Sequence, residues 1–386
     1  MENFQLYNPV RILFGQGQTA SINTYIPEAA RVLITYGGGS IKRNGVLEQV
    51  VVALGSRHFV EFGGIEANPR YETLLKALPI IEQERIDFIL AVGGGSVIDG
   101  TKFIAAAAKY PDENKWNLIR KGRGASIQAA LPFGTVLTIA ATGSEMNNGA
   151  VVTKGETLEK MAFRSEFTYP QFSVVDPAFT LSLPERQVAN GIVDAFVHVL
   201  EQYLTYPVGA HVQDRFSEGI LQTLFELGPQ IMRNPQDLAL RTNLSMCAMM
   251  ALNGLIASGV PEDWSTHMIG HELTGFFDLD HALTLAIVLP HLLRDQLDIK
   301  QAKLAQMGNR VFGITLGTEQ ERAAETIDTI EAFLERILGK IRLSDHGVSL
   351  EQAAKVWERM EERGWKLGER ATVDAAAVRR ILEKAI

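Results

Sequence analysis

Short apolar runs of β character alternate with stretches of helical periodicity over the first half of the chain. Strands are predicted at RVLITY (31–36), RHFVEF (57–62), FILAV (88–92) and TVLTIA (135–140). Helical stretches follow the first three of these runs. Strands that alternate with helices at this spacing are typical of a parallel sheet with helices on both faces. The pattern therefore predicts an α/β domain in the N-terminal half.

The β pattern stops after SVVDP (173–177), and helical periodicity then continues to the C-terminus. The clearest interruptions of that periodicity are LFELGPQIMRNPQ (224–236) and GVPEDW (259–264). A chain of 386 residues exceeds one ordinary hydrophobic core. We predict two domains, an α/β domain over residues 1–180 and an all-α domain over residues 181–386.

The predicted helix NGIVDAFVHVLEQY (190–203) carries Asp194 and His198 four residues apart, on one face, while apolar residues cover nearly all the rest of its surface. A helix that is hydrophobic all round belongs in a protein interior. An unpartnered polar group there costs about 2–7 kcal/mol. Some partner must therefore satisfy the pair.

A second cluster lies in THMIGHELTGFFDLDHALTLAIVLP (266–290), where His267 and His271 are again four residues apart and His281 follows a short loop. Three neutral imidazoles and one carboxylate suit a single Zn²⁺ or Fe²⁺, with a position left for water or a substrate oxygen. An isolated helical histidine is more often a packing residue, but two clusters of histidine and aspartate within apolar helical segments favour a metal site. The predicted ligands are Asp194, His198, His267 and His281.

Glycine-rich turns form another signal, because GGGS follows a predicted strand twice, at residues 37–40 and 93–96. Glycine lets the backbone approach a ligand closely, and the following helix N-terminus offers N–H groups to a phosphate. Such turns are common connectors in any α/β domain, but Thr138 and ATGSE (141–145) mark a third junction. Together they predict a nucleotide site, although no GxGxxG follows a strand.

The first glycine turn also indicates which nucleotide binds. No acidic residue follows RVLITY to accept a ribose 2′-hydroxyl, and Lys42 and Arg43 come directly after the turn. The absence of an acid and the presence of basic residues suit a 2′-phosphate and hence NADP. The predicted contacts of this turn are Gly37, Gly38, Gly39 and Ser40. An aspartate at position 37 should move the preference towards NADH.

The composition and the absence of certain motifs argue against several other classes of protein function. The net charge of −8 and the pI near 5.6 argue against nucleic acid as a partner. No apolar run suggests a membrane span and no signal peptide is visible, so a cytoplasmic location is expected. A single cysteine, Cys247, in an apolar context and the lack of a GxSxG motif disfavour a nucleophilic mechanism.

Together these motifs resemble the iron-containing, or group III, alcohol dehydrogenases, most closely the NADPH-dependent aldehyde reductases and butanol dehydrogenases. The resemblance implies a dehydroquinate synthase-like architecture, an active site in the cleft between the two domains, and a homodimer. It runs nearly end to end. The segments that carry it are NPVRILFGQG (8–17), AVGGGSVIDGTKFIAA (91–106), ATGSE (141–145), LPERQVANGIVDAFVHVLEQY (183–203) and the histidine-rich stretch 266–290.

The resemblance also implies roles for individual residues, and it matches the four predicted metal ligands. The residues implied at the cofactor pyrophosphate are Gly94, Gly95 and Ser96, with Asp99 nearby. Those implied at the adenosine ribose are Gly38 and Ser40. Those implied along the rest of the cofactor cleft are Thr138, Thr142 and Lys160. His271 matches the family's histidine beside the nicotinamide, where it is a candidate proton relay.

The predicted activity is hydride transfer between NADP(H) and a small aldehyde or primary alcohol, with the divalent metal ion as Lewis acid. The main alternatives are a glycerol dehydrogenase-like enzyme, a dehydroquinate synthase-like enzyme, and a non-catalytic nucleotide-binding protein with a structural metal. The second alternative needs basic residues for a phosphorylated substrate, and residues 250–290 contain no lysine or arginine. The third would show four protein ligands and no access for a substrate.

Overall fold

The computed structural model describes residues 1–386, which group into two compact units. We call them the α/β unit and the helical unit. The α/β unit comprises Tyr7–Pro184 and Gln236–Met249. The helical unit comprises Met1–Leu6, Glu185–Pro235 and Met250–Ile386. The division into continuous segments 1–180 and 181–386 stays a prediction.

A six-stranded sheet in the order β1-β8-β5-β4-β2-β3 forms the centre of the α/β unit. Its strands are parallel, as the sequence pattern predicts, whereas their number and order were not predicted. The inner strands β2, β4, β5 and β8 are buried throughout. Their nearly continuous apolar sequences are typical of parallel strands covered on both faces. The strands are β1 Arg11–Phe14, β2 Val32–Thr35, β3 Phe59–Phe62, β4 Phe88–Gly93, β5 Phe133–Leu137, β6 Gly149–Lys154, β7 Glu159–Arg164 and β8 Phe172–Val175.

A β-hairpin of β6 and β7, absent from the prediction, lies outside this sheet. Its strands carry charged side chains, including Lys154, Lys160 and Arg164, which hide the apolar alternation that marks a strand. The predicted strand 135–140 is also shifted, because β5 ends at Leu137. Thr138 is thereby released from the strand, and its N–H donates to the Gly93 carbonyl at 3.0 Å.

Short helices connect the strands, and α5 packs on β4 and on β6. The helical stretch predicted after the second strand is in fact two pieces, α3 and α4. The helices of this unit are α1 Ser40–Arg43, α2 Val46–Leu54, α3 Tyr71–Leu74, α4 Ala77–Gln83, α5 Gly95–Ala107 and α6 Asn117–Arg120, together with most of α9 Leu238–Ala251.

The helical unit contains no β-strand, which agrees with the periodicity of the sequence after residue 184. None of the chain's helices combines the length and the apolar character needed to cross a membrane. The helices of this unit are α7 Glu185–Tyr203, α8 His211–Arg233, α10 Ser265–Phe277, α11 His281–Asp295, α12 Leu297–Met307, α13 Glu319–Leu338, α14 Leu350–Glu362 and α15 Ala375–Lys384.

The interruption predicted at 259–264 is confirmed, because it lies between α9 and α10. The one predicted at 224–236 comes later than the proline suggests, because α8 runs through Pro229 to Arg233 and ends there. Proline costs a helix about 3 kcal/mol, so packing must offset the loss. Gly228 supplies close packing at this point. A Cβ atom there would lie 3.1 Å from Ile192 and 3.3 Å from Phe333, so the missing side chain lets neighbouring helices approach α8.

Candidate active site

Helix α7 presents two of the predicted metal ligands from a buried surface. Asp194 is 3% exposed and His198 is 5% exposed, on a helix whose apolar residues between 188 and 203 are also buried. The Nδ1 atom of His198 lies 3.7 Å from Oδ1 of Asp194. The sequence therefore places a carboxylate and an imidazole side by side in an interior where neither is solvated.

Helices α10 and α11 supply the other two predicted ligands. His267 lies in the first turn of α10, and His281 is the first residue of α11. The connection between these helices is held to α7, since the guanidinium of Arg186 donates to both carboxylate oxygens of Asp280 at 2.5 Å. Asn190 of α7 donates to the same carboxylate at 3.2 Å. His281 is thus anchored through the residue that precedes it.

The predicted ligands converge on one oxygen of Asp194. His267 Nε2 lies 3.9 Å and His281 Nε2 lies 3.6 Å from Oδ1 of Asp194. The ligand atoms of these three residues all lie within 4.8 Å of one another. His198 is not part of that trio, but its ring stacks on His267 with centroids 4.7 Å apart. Ligand atoms of a tetrahedral zinc at about 2.0–2.2 Å are about 3.3–3.6 Å apart, so the distances from Asp194 Oδ1 to the three imidazoles are close to those of a metal-bound set.

Two buried nitrogens support a metal at this position. His198 Nδ1 and His267 Nε2 are both buried, and neither has a hydrogen-bond partner. Buried polar atoms are nearly always satisfied, and unsatisfied imidazole nitrogens that face a carboxylate fit a cation between them. The residues present therefore fit a divalent ion.

The protonation of the histidines is consistent with this arrangement. Burial lowers the pKa of His198 to about 4, so the ring is neutral and able to bind a metal. Burial also acts to lower the pKa of His267, but the negative charges of Glu201 and Asp194 outweigh it and raise that pKa to about 9. The metal-free protein therefore holds a proton on His267 that a metal ion must displace.

His271 lies beside the ligand cluster, one helical turn after His267. Its ring centroid is 5.2 Å from that of His281 and 6.1 Å from that of His267. The side chain is 6% exposed. The structure therefore brings His271 to the predicted metal ligands, while its role beside a nicotinamide stays a prediction.

Two residues at this cluster are absent from the sequence prediction. Glu201, on α7, receives a hydrogen bond from the Nδ1 atom of His267. Trp264 precedes α10 in a left-handed conformation with φ of 61°, and its ring packs edge-on against His267 at 5.2 Å and against His198 at 6.1 Å. Positive φ is uncommon for a bulky residue and often marks a functional site. No sequence pattern announces that conformation.

The glycines between β4 and α5 are required by close packing. A Cβ atom on Gly93 would lie 2.5 Å from the Val97 side chain, and one on Gly94 would lie 2.9 Å from Ile139. A Cβ atom on Gly95 would lie 2.3 Å from the Thr142 side chain. Gly94 precedes the first turn of α5, where the leading N–H groups of a helix have no partners within it, and the first bond that closes this turn runs from the Val97 N–H to the Gly94 carbonyl at 3.0 Å. This geometry fits the predicted contact with a pyrophosphate, and Thr142 lies directly over the turn.

The turn after β2 is more open. A Cβ atom on Gly38 or Gly39 would meet nothing within 4 Å, whereas one on Gly37 would lie 3.1 Å from the Ile65 carbonyl oxygen. Gly39 has φ of 82°, and α1 begins at the following residue, Ser40. The residues predicted at the ribose therefore belong to an open backbone turn.

An acidic residue does lie near this turn, although none follows β2 in the sequence. Glu61, on β3, accepts a hydrogen bond from the Tyr36 hydroxyl at 3.0 Å and pairs with Lys42 at 2.7 Å. The hydrogen bond to Glu61 raises the pKa of Lys42. Lys42, one of the two basic residues on which the NADP prediction depends, is therefore already paired with Glu61. This pairing could not be predicted without knowing that β3 lies beside β2.

Asp99 lies within a network that ties α5 to the hairpin. One carboxylate oxygen accepts from the Ser144 hydroxyl at 2.6 Å, and the other accepts from the Val151 N–H at 2.8 Å. Lys102, which is fully buried, donates to the Ser144 and Gly149 carbonyls at 2.8 and 2.7 Å. Burial lowers the pKa of Lys102 to about 7. Asp99 therefore orders the loop that contains Thr142.

Lys160 reaches the predicted pyrophosphate turn through a residue that the sequence analysis missed. Its ammonium group donates to Oδ1 of Asn68 at 2.8 Å, and the N–H of Asn68 donates to the Ser96 hydroxyl at 3.3 Å. Asn68 has φ of 59°. The hairpin and the turn after β4 are thereby connected, although β7 and β4 are far apart in sequence.

Comparison with known proteins identifies the family. A family model described as iron-containing alcohol dehydrogenase matches residues 9–177, and one described as Fe-containing alcohol dehydrogenase family, C-terminal, matches residues 188–386. The chain belongs to the iron-containing alcohol dehydrogenase family. The family predicted from the motifs is confirmed, and so is an enzyme of the oxidoreductase class.

Relatives within this family cover all or nearly all of the chain. The chain is 51% identical over 387 residues, with 100% of both proteins covered, to the NADPH-dependent aldehyde reductase YqhD of Escherichia coli (strain K12). It is 39% identical over 369 residues to the probable NADH-dependent butanol dehydrogenase 1 of Bacillus subtilis (strain 168), with 94% of this chain and 95% of the relative covered. The crystal structure of E. coli K-12 YqhD has a TM-score of 0.98 at 50% identity, covering 100% of this chain and 99% of that one.

Proposed function

We propose that the protein is a metal-dependent reductase that transfers hydride from NADPH to small aldehydes and, in reverse, oxidises the corresponding primary alcohols. The observation that carries the proposal is the convergence of imidazole nitrogens on one oxygen of Asp194, at 3.6 to 3.9 Å. The name of the 51% identical relative, an NADPH-dependent aldehyde reductase, supports the choice of cofactor and substrate class.

The residues proposed to hold the divalent ion are Asp194, His198, His267 and His281. When bound, the ion supplies a Lewis acid for the aldehyde oxygen and NADPH supplies the hydride. The buried walls around Asp194 exclude water and keep the carboxylate charge uncompensated by solvent. The Asp280 anchor fixes the first turn of α11, so His281 needs little reorganisation to bind the ion.

Exposure of the ligands favours a catalytic rather than a purely structural metal. The side chain of His281 is 23% exposed, whereas those of Asp194, His198 and His267 are 5–7% exposed. A structural zinc is normally closed on all sides by its protein ligands. An opening at one ligand gives a substrate oxygen a route to the ion, and His271, which contacts His281, is our candidate to relay a proton there.

The glycine turns are proposed to hold the dinucleotide. Gly94 and Gly95 place no side chain at the N-terminus of α5, and the N–H groups of a helix N-terminus suit a pyrophosphate. The open turn at Gly38 and Gly39 has room for the ribose and its 2′-phosphate. Arg43, which is exposed and one residue beyond the paired Lys42, is the more available cation for that phosphate.

Two other enzyme classes stay as alternatives. A dehydroquinate synthase-like reaction needs free basic residues for a phosphorylated substrate. Arg359 of α14 and Arg363 just after it both approach the carboxylate of Glu272 on α10. A glycerol dehydrogenase-like activity differs in its substrate alone. A substrate panel therefore separates it from the proposed reductase.

The test of the proposed function is a cofactor and substrate panel with the purified, metal-loaded protein. Oxidation of NADPH and of NADH is followed at the nicotinamide absorption band with short aliphatic aldehydes, and glycerol is offered in the oxidative direction. We expect kcat/KM with NADPH to exceed that with NADH by at least about tenfold, equivalent to about 1.4 kcal/mol. Binding of NADPH without turnover of any substrate would contradict the proposal.

Two expectations remain, a homodimer from the family resemblance and a cytoplasmic location from the sequence pattern. Strand β1 lies at one edge of the sheet, where a second strand could pair with it. Light scattering coupled to size exclusion tests the dimer, and a monomer at all concentrations would contradict it. Cell fractionation tests the location.

A further inference from the structure

Glu201 is a buried carboxylate on the helix that carries Asp194 and His198, and none of the predicted roles uses it. It follows His198 by three residues and is 3% exposed. We propose that Glu201 is a positioning residue that fixes the tautomer and the place of His267 for metal binding. This inference rests on the metal centre proposed above.

Both oxygens of Glu201 are engaged by the start of α10. Oε1 accepts from the N–H groups of Thr266 at 2.6 Å and of His267 at 3.4 Å. Oε2 accepts from the Nδ1 atom of His267. The carbonyl oxygen of Glu201 also accepts from the Asp263 N–H at 2.9 Å. One residue of α7 thereby holds the backbone and the ring of His267 together.

The hydrogen bond to the ring selects the nitrogen that faces the ion. A carboxylate only accepts hydrogen bonds, so the hydrogen of the imidazole must be on Nδ1 of His267. Nε2 is then the nitrogen left to bind a cation. This nitrogen lies 3.9 Å from Asp194 Oδ1 and has no hydrogen-bond partner. Carboxylate, imidazole and metal in this order form the arrangement that commonly orients metal-binding histidines.

The same carboxylate supports the N-terminus of α10. The preceding residue, Trp264, has a left-handed backbone and makes no side-chain capping hydrogen bond. The first N–H groups of a helix lack partners within the helix, and a negative charge there is favourable. Glu201 therefore fixes where α10 begins relative to α7, and with it the separation of His267 from Asp194.

Substitution Glu201→Gln separates the positioning role from simple packing. Glutamine has nearly the same size, but it has one acceptor oxygen. If that oxygen accepts from the backbone of Thr266, the amide NH₂ faces Nδ1 of His267 and forces the ring hydrogen onto Nε2. The opposite orientation points the NH₂ group at two N–H donors. In the first orientation Nε2 of His267 can no longer bind the ion, and in the second the N-terminus of α10 loses its acceptor.

We expect Glu201→Gln to weaken Zn²⁺ binding about 10- to 100-fold, the effect typical of such outer partners. Affinity is measured by competition with a chromophoric chelator on the metal-free protein. Co²⁺ in place of Zn²⁺ gives a visible spectrum that reports ligand geometry, and we expect its bands to shift in the variant. Neither readout depends on turnover.

Glu218→Gln is the matched control. Glu218, on α8 of the same unit, is 4% exposed and accepts from Tyr203, Arg215 and Arg310 at 2.7 to 2.9 Å, with no histidine among its partners. Its substitution removes an equally buried charge. We expect the Zn²⁺ affinity and the Co²⁺ spectrum of this variant to match those of the wild-type protein.

The outcomes separate this inference from the proposed metal centre. Wild-type protein that binds neither Zn²⁺ nor Co²⁺ would contradict the metal centre itself. Wild-type affinity in Glu201→Gln, or equal losses in both variants, would overturn the positioning role alone. If Glu201→Gln does not fold, Glu201→Asp keeps the charge but shortens the reach by one methylene. It should then show weaker Zn²⁺ binding, and unchanged binding would overturn the inference.

Discussion

Three imidazole nitrogens lie within 3.9 Å of one carboxylate oxygen, and this arrangement was predictable from single residues. Asp194 and His198 stand out because they interrupt an apolar helix, where a polar pair needs a partner. Glu201 lies in the same helix but gave no signal, because a glutamate near a helix end is usually exposed. Glu61 was missed for another reason, since it lies on β3 whereas its partner Lys42 lies on α1, which follows β2.

At the residue scale, the structure changes the best test of cofactor preference. An aspartate at position 37 would press its Cβ against the Ile65 carbonyl at 3.1 Å, so lost binding there could reflect crowding. Gly38 is open on all sides. Gly38→Asp should raise the dissociation constant of NADPH on the order of tenfold or more by repelling the 2′-phosphate, and leave that of NADH nearly unchanged.

Isothermal titration with both nucleotides measures this change, and Gly38→Asn is the control of equal size without the charge. The ribose assignment holds if the aspartate variant alone discriminates against NADPH. Equal losses for NADPH and NADH in the aspartate variant would contradict the assignment of this turn to the 2′-phosphate.

At the scale of elements, strong periodicity was a better guide than single helix breakers. Four of the six parallel strands, β2 to β5, were predictable because each lies in a short run of β character. The β6–β7 hairpin was not, because its charged side chains hide the alternation. Helix α8 continues through Pro229 because Gly228 lets Ile192 and Phe333 pack closely, and such tertiary compensation has no local signal.

The anchor of α11 gives a prediction at this scale. Arg186→Met removes both hydrogen bonds to Asp280 while keeping an apolar side chain of similar length. The arginine is 72% exposed, so the pair is worth little in stability, about 0.2–1 kcal/mol. We expect Zn²⁺ affinity to fall about 2- to 5-fold, with an unfolding temperature close to that of the wild-type protein.

Chelator competition measures the affinity, and Arg379→Met is the control, since Arg379 pairs with Glu383 on α15 at an exposed site. A Zn²⁺ affinity in Arg186→Met that equals the control would show that His281 holds its position without the Asp280 anchor.

At the scale of the whole molecule, metal binding and folding are linked through His267. Its folded pKa of about 9 lies above the ordinary value of 6.5. The stabilisation that this proton gives the metal-free protein is complete below about pH 6.5 and disappears as the pH rises through about 9. The order of the strands, with β1 beside β8, also belongs to this scale and could not be read from local sequence.

The metal must displace that proton, so Zn²⁺ affinity should rise with pH by up to about tenfold per unit, or about 1.4 kcal/mol. We therefore predict that the gap in unfolding temperature between zinc-loaded and metal-free protein widens from pH 6 to pH 8. Differential scanning fluorimetry at matched free zinc measures the gap. A gap that stays constant or narrows over this range would show that no proton leaves the site when zinc binds.

The most direct test of the account is the metal dependence of NADPH oxidation. Protein stripped with a chelator is assayed with NADPH and a short aldehyde, before and after addition of Zn²⁺ or Fe²⁺, with bound metal counted by mass spectrometry. His267→Ala is assayed in parallel. We predict that stripping abolishes turnover, that one equivalent of one ion restores it, and that His267→Ala retains NADPH binding but neither metal nor activity. Full turnover in the stripped protein or in the variant would contradict the account.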